Sequence, residues 1–262
     1  MKIICLVKFV PDVDSFEYDF ERNILIRDSV RLQLNPDDIC AVAFALKVKA
    51  QRPESFIEAV TMAPARVAPN MEDLMRIGVD RCTVISDRLY AGSDTFATSK
   101  VLARYLETRE YDVILTGTHA IDGDTSHIPP QLGACLGLDQ MSGIVSIDEI
   151  DGQKAVFSVD TEEERTTYEA ALPAILSLTR DSGYKLPYPK REALERDFSE
   201  SISFVDNSAL AFFEGEAGLS GSKTRVVGTY TKSFEKKDRL VVKADDEGVE
   251  TVFSYLEKNG FI

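Results

Sequence analysis

Gly117-Thr118-His119-Ala120-Ile121-Asp122-Gly123-Asp124-Thr125-Ser126-His127-Ile128-Pro129-Pro130 joins an apolar run, Asp112–Thr116, to an apolar-periodic segment that ends near Leu138. The run reads as a strand and the segment as a helix, so the stretch between them is a strand-to-helix turn. Proline is awkward inside a helix and pushes its predecessor out of the α region, which predicts a helix start near Pro130. Gly123 to His127 then form a tight turn whose backbone N–H groups aim past the strand end. Such a turn at a helix N-terminus can nest an anion, phosphate above all. Gly123 allows a positive φ or a close approach there, and Thr125 and Ser126 add hydroxyl donors. Asp122 and Asp124 would repel a phosphate, so their carboxylates are expected to cap nearby amides or to meet a ribose. On these residues alone a bare turn with two caps remains the competing reading, because the stretch is neither a Walker loop nor GxGxxG.

Working outward, the same strand–helix alternation fills the first 140 residues. Ile3–Val7 is continuously apolar, as a strand covered on both faces would be. Asp37–Ala50 follows Asn35-Pro36 and carries Ala41, Phe44, Ala45 and Val48 at i, i+3, i+4 and i+7, a helical stripe. Phe56–Met62 reads as the second strand, Asn70–Ile77 as a short helix stopped by Gly78, and Cys82–Ser86 as the third strand. Ser93-Asp94-Thr95 offers N-cap oxygens to a helix with Ala97, Val101, Leu102 and Tyr105 on one face. The pattern predicts an α/β fold: a parallel sheet with helices on both faces and right-handed crossovers. Ligands of such sheets bind beyond the carboxyl ends of the strands, where strand order reverses. The loops after Val7, Met62, Ser86 and Thr116 are therefore the places to look.

Past residue 140 the character changes. Ile144–Ile150 and Lys154–Val159 form a hairpin pattern around Asp151-Gly152, and Ala174–Leu178 is a further strand. Residues 181–235 are polar and interrupted by Pro187, Pro189, Gly215, Gly218 and Gly221. Asp245–Asn259 carries Val249, Val252, Phe253 and Leu256 at helical spacing. The expectation is a globular domain over 1–190 and an arm over 191–262. Leu210, Phe212, Phe213 and Phe234 give the arm no core of its own, so it packs on another chain or, alternatively, folds back on its own domain.

Lys and Arg number 30 against 44 Asp and Glu, a formal charge of −14. That argues against nucleic acid or an anionic membrane as partner, but not against a nucleotide held by backbone amides. No apolar stretch approaches the roughly 18 residues of a membrane span. Met1–Lys8 is charged too soon for a signal peptide, which predicts a cytoplasmic protein. Cys5, Cys40, Cys82 and Cys135 lie far apart without a CxxC pair, so neither disulfide nor zinc site is expected and buried hydrophobes are. His119 and His127 are the only histidines, which leaves little for metal or triad chemistry. Glu162-Glu163-Glu164 reads as a solvated face, Lys185, Lys190 and Arg191 as a surface cluster able to dock protein, and Lys236-Lys237 as exposed loop.

Several segments resemble one family in order and spacing. Lys8-Phe9-Val10-Pro11-Asp12 resembles its K-x-V-P-D opening, Asn35-Pro36-Asp37-Asp38 its N-P-F-D segment, and Ile77-Gly78-Val79-Asp80-Arg81 its A-M-G-A-D-R. Gly92–Thr98 resembles G-A-D-T-x-A-T, Ala120–Thr125 matches A-I-D-G-D-T, and Leu172-Pro173-Ala174 matches L-P-A. The chain thus resembles, nearly end to end, the β (small) subunit of electron-transfer flavoproteins. The resemblance implies a Rossmann-like, adenine nucleotide α-hydrolase-like domain in a heterodimer with a larger α subunit that holds a mobile FAD. It implies an electron carrier rather than a self-sufficient enzyme, with a second adenine nucleotide in the β subunit. In respiratory relatives this is AMP; in electron-bifurcating relatives it is a second FAD, reduced by NADH. Electrons then pass to the α-subunit flavin and a flavin dehydrogenase such as an acyl-CoA dehydrogenase, and to a low-potential acceptor such as ferredoxin. Carried over position by position, the nucleotide would touch Leu6, Asn35, Pro36, Asp37, Asp38 and Met62. It would also touch Gly117, Thr118, His119, Asp122, Gly123, Asp124, Thr125, Ser126, His127 and Ile128.

The Asp122-Gly123-Asp124-Thr125 form resembles the bifurcating subgroup, so FAD is the expected ligand and AMP the alternative. The chain also departs from the family. Thr118 and His119 stand where Arg or Lys and then Gln are usual, and His127 and Pro129 where Gln and Gly are. A cation that could offset a pyrophosphate is lost at 118; His127 could restore a donor, and its protonation would favour a phosphate. Pro187-Tyr188-Pro189 lacks the Arg of the family's docking stretch, and Lys190–Asp197 is interspersed with acids, implying a changed dehydrogenase partner. Val242–Ile262 resembles the closing arm that packs on the α subunit. A stand-alone adenine-nucleotide sensor of similar architecture is the rival from another class.

Overall fold

The computed structural model describes residues 1–12, 17–19, 24–26, 31–161, 163–225 and 241–262. Its main sheet contains β1 (Lys2–Leu6), β2 (Phe56–Met62), β3 (Arg81–Ile85), β4 (Val113–Gly117), β5 (Asp139–Ile150), β6 (Lys154–Asp160), β7 (Arg165–Ala171), β8 (Ala174–Leu178) and β9 (Ile202–Val205). The order across the sheet is β7-β6-β5-β8-β4-β1-β2-β3-β9. From β5 to β9 neighbours run parallel, and β6 is antiparallel to both β5 and β7. The chain proceeds from β1 to β2 and β3 on one side, then crosses to β4 on the other, so strand order reverses between β1 and β4.

Helices cover both faces, as the alternation requires. In β1, Ile3 and Cys5 join one buried cluster and Ile4 and Leu6 the other. The first cluster takes Ala41, Phe44, Ala45 and Val48 of α1 (Pro36–Gln51) and Met71 and Leu74 of α2 (Ala68–Arg76). The second takes Val101, Leu102, Tyr105 and Leu106 of α3 (Thr95–Leu106) and Leu132 of α4 (Ile128–Leu136). Each such aliphatic side chain contributes roughly 1.5–3 kcal/mol on burial. This drive explains why strands at the centre of the sheet carry no polar alternation.

Several sequence expectations are corrected. α4 begins at Ile128, not near Pro130, because Pro129 and Pro130 fall in its first turn, where a missing N–H costs no intrahelical bond. β7, which the sequence reading did not assign, pairs along its length with β6 and leaves most of its side chains exposed, a polar edge strand without an apolar run. The described chain forms two compact units, Met1–Arg225 and Val226–Ile262, so the first unit extends past residue 190. The reason is that β9 adds to β3 in parallel, while Leu210 and Phe212 are buried in the α3 cluster. Residues 191–225 thus fold back on their own domain, with Phe213 exposed. In the second unit α5 (Asp246–Lys258) is capped by Asp245, and Val249, Val252 and Phe253 are exposed. Phe234, Lys236, Lys237 and Glu162 lie outside the described residues; Glu163 and Glu164 are exposed. Cys5, Cys40 and Cys82 are buried free thiols, whereas Cys135, expected inside, is exposed. Among the described residues no helix is long and apolar enough to cross a membrane.

One close joint of the fold is where β4 meets the start of α1. A Cβ on Gly117 would stand 2.2 Å from Asp38 Oδ1 and 2.8 Å from the Asp37 Cβ. Glycine is required there for close approach. Gly117→Ala is expected to cost roughly 1–3 kcal/mol by overpacking, read as a lower urea midpoint, whereas Gly123→Ala should stay within about 0.5 kcal/mol.

Candidate functional site

A cavity of about 840 Å³ opens beyond the carboxyl ends of β1, β2, β3 and β4, at the reversal point. Its apolar wall includes Leu6, Val60, Met62, Ile85, Tyr90 and Leu102. Its polar end is the turn from Thr118 to Ile128. The volume falls within the roughly 300–1,000 Å³ typical of small-molecule and cofactor sites.

The turn is shaped by α1. Asn35 stands at the N-cap of α1, yet its side chain makes no cap hydrogen bond. Its Nδ2 instead donates to the His119 carbonyl at 2.8 Å, and its Oδ1 accepts from the Ile121 amide at 3.2 Å. Asp37, 1 % exposed, accepts from the Arg180 amide at 3.0 Å and the His119 amide at 3.3 Å, and its Oδ2 lies 2.8 Å from His119 Nδ1. Asp38 accepts from the Lys8 amide at 2.7 Å and the Gly117 amide at 3.0 Å. Two first-turn carboxylates thus tie together the ends of β1 and β4 and the start of the loop after β8, while also favouring the helix dipole. Burial pushes the Asp38 carboxyl up to about 7, outweighing the two amide donors that act in the opposite sense.

Beyond this anchor the chain turns tightly. The amides of Gly123 and Asp124 both donate to the Ala120 carbonyl, at 3.2 and 2.8 Å. Positive φ falls on Asp124 at 46° and Ser126 at 53°, not on Gly123, whose Cβ position has no atom within 4 Å. Gly123 therefore supplies neither the positive φ nor the close approach that the sequence allowed it, and the left-handed positions fall on Asp124, a residue type that tolerates that region, and on Ser126. Among the described residues, the amides of Thr125, Ser126, His127 and Ile128 have no protein acceptor. They occupy the polar end of the cavity at the N-terminus of α4. His127 is the N-cap residue, and its Nδ1 lies 3.5 Å from Thr95 Oγ1 at the start of α3.

Most of the expected site residues line the cavity, but Pro36, Asp37 and Asp122 do not. Asp37 is fully engaged beneath the turn, and Asp122 accepts from Lys8 Nζ at 2.7 Å rather than capping an amide. The loop after β3 is among the four places to look, but none of its residues, nor any at the start of α3, is an expected ligand contact; Ser86–Arg88 and Tyr90–Thr95 line the opposite wall. The resemblance of Gly92–Thr98 to a family segment carried that signal. Asp94 caps α3 through the Ala97 amide at 2.9 Å and accepts from the Lys223 and Thr224 amides, each at 2.8 Å. Burial acts to raise its carboxyl pKa, but these donors prevail and hold it below the usual carboxylate range.

A mostly parallel, Rossmann-like sheet with its crevice at the reversal point defines the structural class. A family model of the electron transfer flavoprotein domain matches residues 22–193, and the chain belongs to that family, in its β-subunit branch. It is 27% identical to the electron transfer flavoprotein subunit beta of Thermoanaerobacterium thermosaccharolyticum over 100% of both chains. It is 29% identical to the subunit of the same name from Megasphaera elsdenii, over 96% of this chain and 95% of that one. It is 27% identical to the caffeyl-CoA reductase-Etf complex subunit CarD of Acetobacterium woodii, over 88% of each. Membership gives the chain a flavin-associated electron-transfer role.

Asp38 supplies a test of this anchor. In the unfolded chain its pKa is about 3.9; in the fold it is about 7. Its contribution to stability is then full below about pH 4 and is lost as the pH rises through about 7. Asp38→Asn should flatten that part of the pH–stability curve and cost about 1–3 kcal/mol, because an amide NH₂ would face one of the two backbone donors. Urea unfolding across this pH range checks both.

Proposed function

We propose that the chain works as the β subunit of a heterodimeric electron-transfer flavoprotein, holds FAD in the cavity after β1, β2, β3 and β4, and takes part in electron bifurcation. The observation that supports this most is the pairing of unengaged amides at Thr125–Ile128 with the apolar wall from Leu6 to Leu102. The amides suit a diphosphate and the wall suits flat, weakly polar rings. In this reading Leu6, Met62, Thr125, Ser126, His127 and Ile128 meet the nucleotide directly. Asn35, Pro36, Asp37, Asp38 and Gly117 act from behind, fixing the turn at the distance that the ligand needs. Thr118 and His119 line the same end, and Gly123 leaves open space beside them. FAD bound here would accept hydride from NADH and release electrons singly, one toward the α-subunit flavin and one toward a low-potential acceptor such as ferredoxin.

The partner dehydrogenase is proposed to act on acyl-CoA compounds. The relative from Acetobacterium woodii is named as a subunit of a caffeyl-CoA reductase complex, and one from Anaerotignum propionicum as an acryloyl-CoA reductase electron transfer subunit. Tyr188, almost fully exposed between Pro187 and Pro189, suits a docking contact. The exposed stripe of α5 suits packing on the α subunit, and the whole is read as a cytoplasmic complex.

A second reading has AMP in the cavity, as in respiratory relatives. The four unengaged amides at Thr125–Ile128 are also enough to hold a single phosphate at the start of α4. Acid extraction of the co-purified heterodimer, with chromatography of the released nucleotides, separates the two. Two FAD per heterodimer is the expected result. One FAD with one AMP would overturn FAD binding in this subunit, and no adenine nucleotide beyond the α-subunit FAD would overturn the cavity assignment itself.

A further inference from the structure

Asp94 and Thr95 line the cavity at the start of α3, and Thr95 Oγ1 lies 3.5 Å from His127 Nδ1, beside the unengaged amides of the turn. This wall is held by a strap from the far end of the first unit, residues 218–224. The Gly218 amide donates to Ser93 Oγ at 3.1 Å and the Leu219 amide to the Ala91 carbonyl at 3.0 Å. Gly218 has a φ of 63°, and a Cβ there would overlap the Leu89 carbonyl oxygen, so glycine is what lets the strap lie so close. The Asp94 amide donates to Ser222 Oγ at 2.9 Å. Asp94 Oδ1 caps α3 through the Ala97 amide. Its Oδ2 accepts from the strap alone: from the Lys223 and Thr224 amides, each at 2.8 Å, and from Thr224 Oγ1 at 2.9 Å.

Building on the nucleotide reading, we propose that Asp94 is a positioning residue whose latch to Lys223 and Thr224 holds its charge away from a bound diphosphate, so that strap and ligand strengthen each other. A carboxylate next to the polar end of the cavity opposes a phosphate, since like charges repel and water screens them poorly in a crevice. Latched, Asp94 has three donors on Oδ2 that offset its charge and fix its side chain against the strap. With the strap released, that oxygen loses every one of these partners, and its charge opposes the ligand uncompensated. Other carboxylates of this region lack such a handle. Asp87 accepts from the Leu89 and Asn207 amides, and Asp122 pairs with Lys8, so neither depends on residues 218–224. Linkage is reciprocal: a ligand that binds better to the latched form must also stabilise the latch. The strap is the chain that leads through Arg225 into the second unit, so a pull on that connection would be felt at the cavity wall.

The test is a double-mutant cycle on FAD affinity of the full chain, followed by flavin fluorescence. Thr224→Pro removes two of the three strap donors at a residue that is exposed and does not line the cavity. Asp94→Asn removes the charge and keeps an oxygen able to cap α3. Thr224→Pro is expected to weaken FAD binding at least about fivefold in the otherwise wild-type chain, and less than about twofold in the Asp94→Asn background. Simple damage to the wall would give equal losses in both. Equal losses, or no loss in the first background, would overturn the latch and leave the nucleotide reading standing. Hydrogen exchange of the wild-type chain serves as a second measurement should Thr224→Pro not fold: FAD should slow exchange of the Lys223 and Thr224 amides at least about fivefold. Exchange unchanged by bound FAD would overturn the latch too. No FAD binding by the wild-type chain would overturn FAD as the ligand of this cavity and this inference with it.

Discussion

The arrangement depends on the two carboxylates in the first turn of α1. Asp37 and Asp38 are buried, yet they bond chain that forms the crevice: the amides after β1, at the end of β4, at the start of the turn and after β8, together with the His119 ring. An unpaired carboxylate at that depth would be costly, so the pair enforces the geometry that satisfies it. Gly117 is the complement of this constraint, because only hydrogen at that position lets β4 and α1 approach so closely.

From that joint the rest of the polar end follows. With Asn35 diverted from capping to holding the His119 carbonyl and the Ile121 amide, the chain is committed before it reaches Asp122. The bend is completed by the Ala120 carbonyl and by left-handed Asp124 and Ser126. What emerges is a short run of amides without protein acceptors, offered where the helix dipole already favours negative charge. The opposite wall is built by a second set of restraints, in which Asp94 ties the start of α3 to residues 223 and 224 at the end of the first compact unit. A lining residue of the cavity, Asp94, is thereby held by a segment from the far end of that unit's sequence.

Much of this was legible in the residues. The apolar stripes of α1 and α3 and the continuous run of β1 fall on the buried positions expected of them, since burial on two faces leaves a local signature. The turn after β4 was legible as a strand-to-helix joint. Which of its residues take positive φ was not, because Gly123 is the permissive residue by composition while the left-handed positions fall on Asp124 and Ser126. Nor was the role of Asp37, whose partners lie 82 and 143 positions away. β9 escaped notice because a four-residue edge strand paired only with β3 has little periodicity of its own.

By itself the sequence determined the class of fold, the strands whose ends form the crevice, and the family, because hydrophobic periodicity and short ordered motifs are local properties of the chain. Tertiary structure alone decided which acids face the cavity and which lie beneath it. It decided too that residues 191–225 return to the sheet, and that both histidines share one wall. Those outcomes rest on hydrogen bonds and packing between segments distant in the chain, whose partners no local pattern encodes.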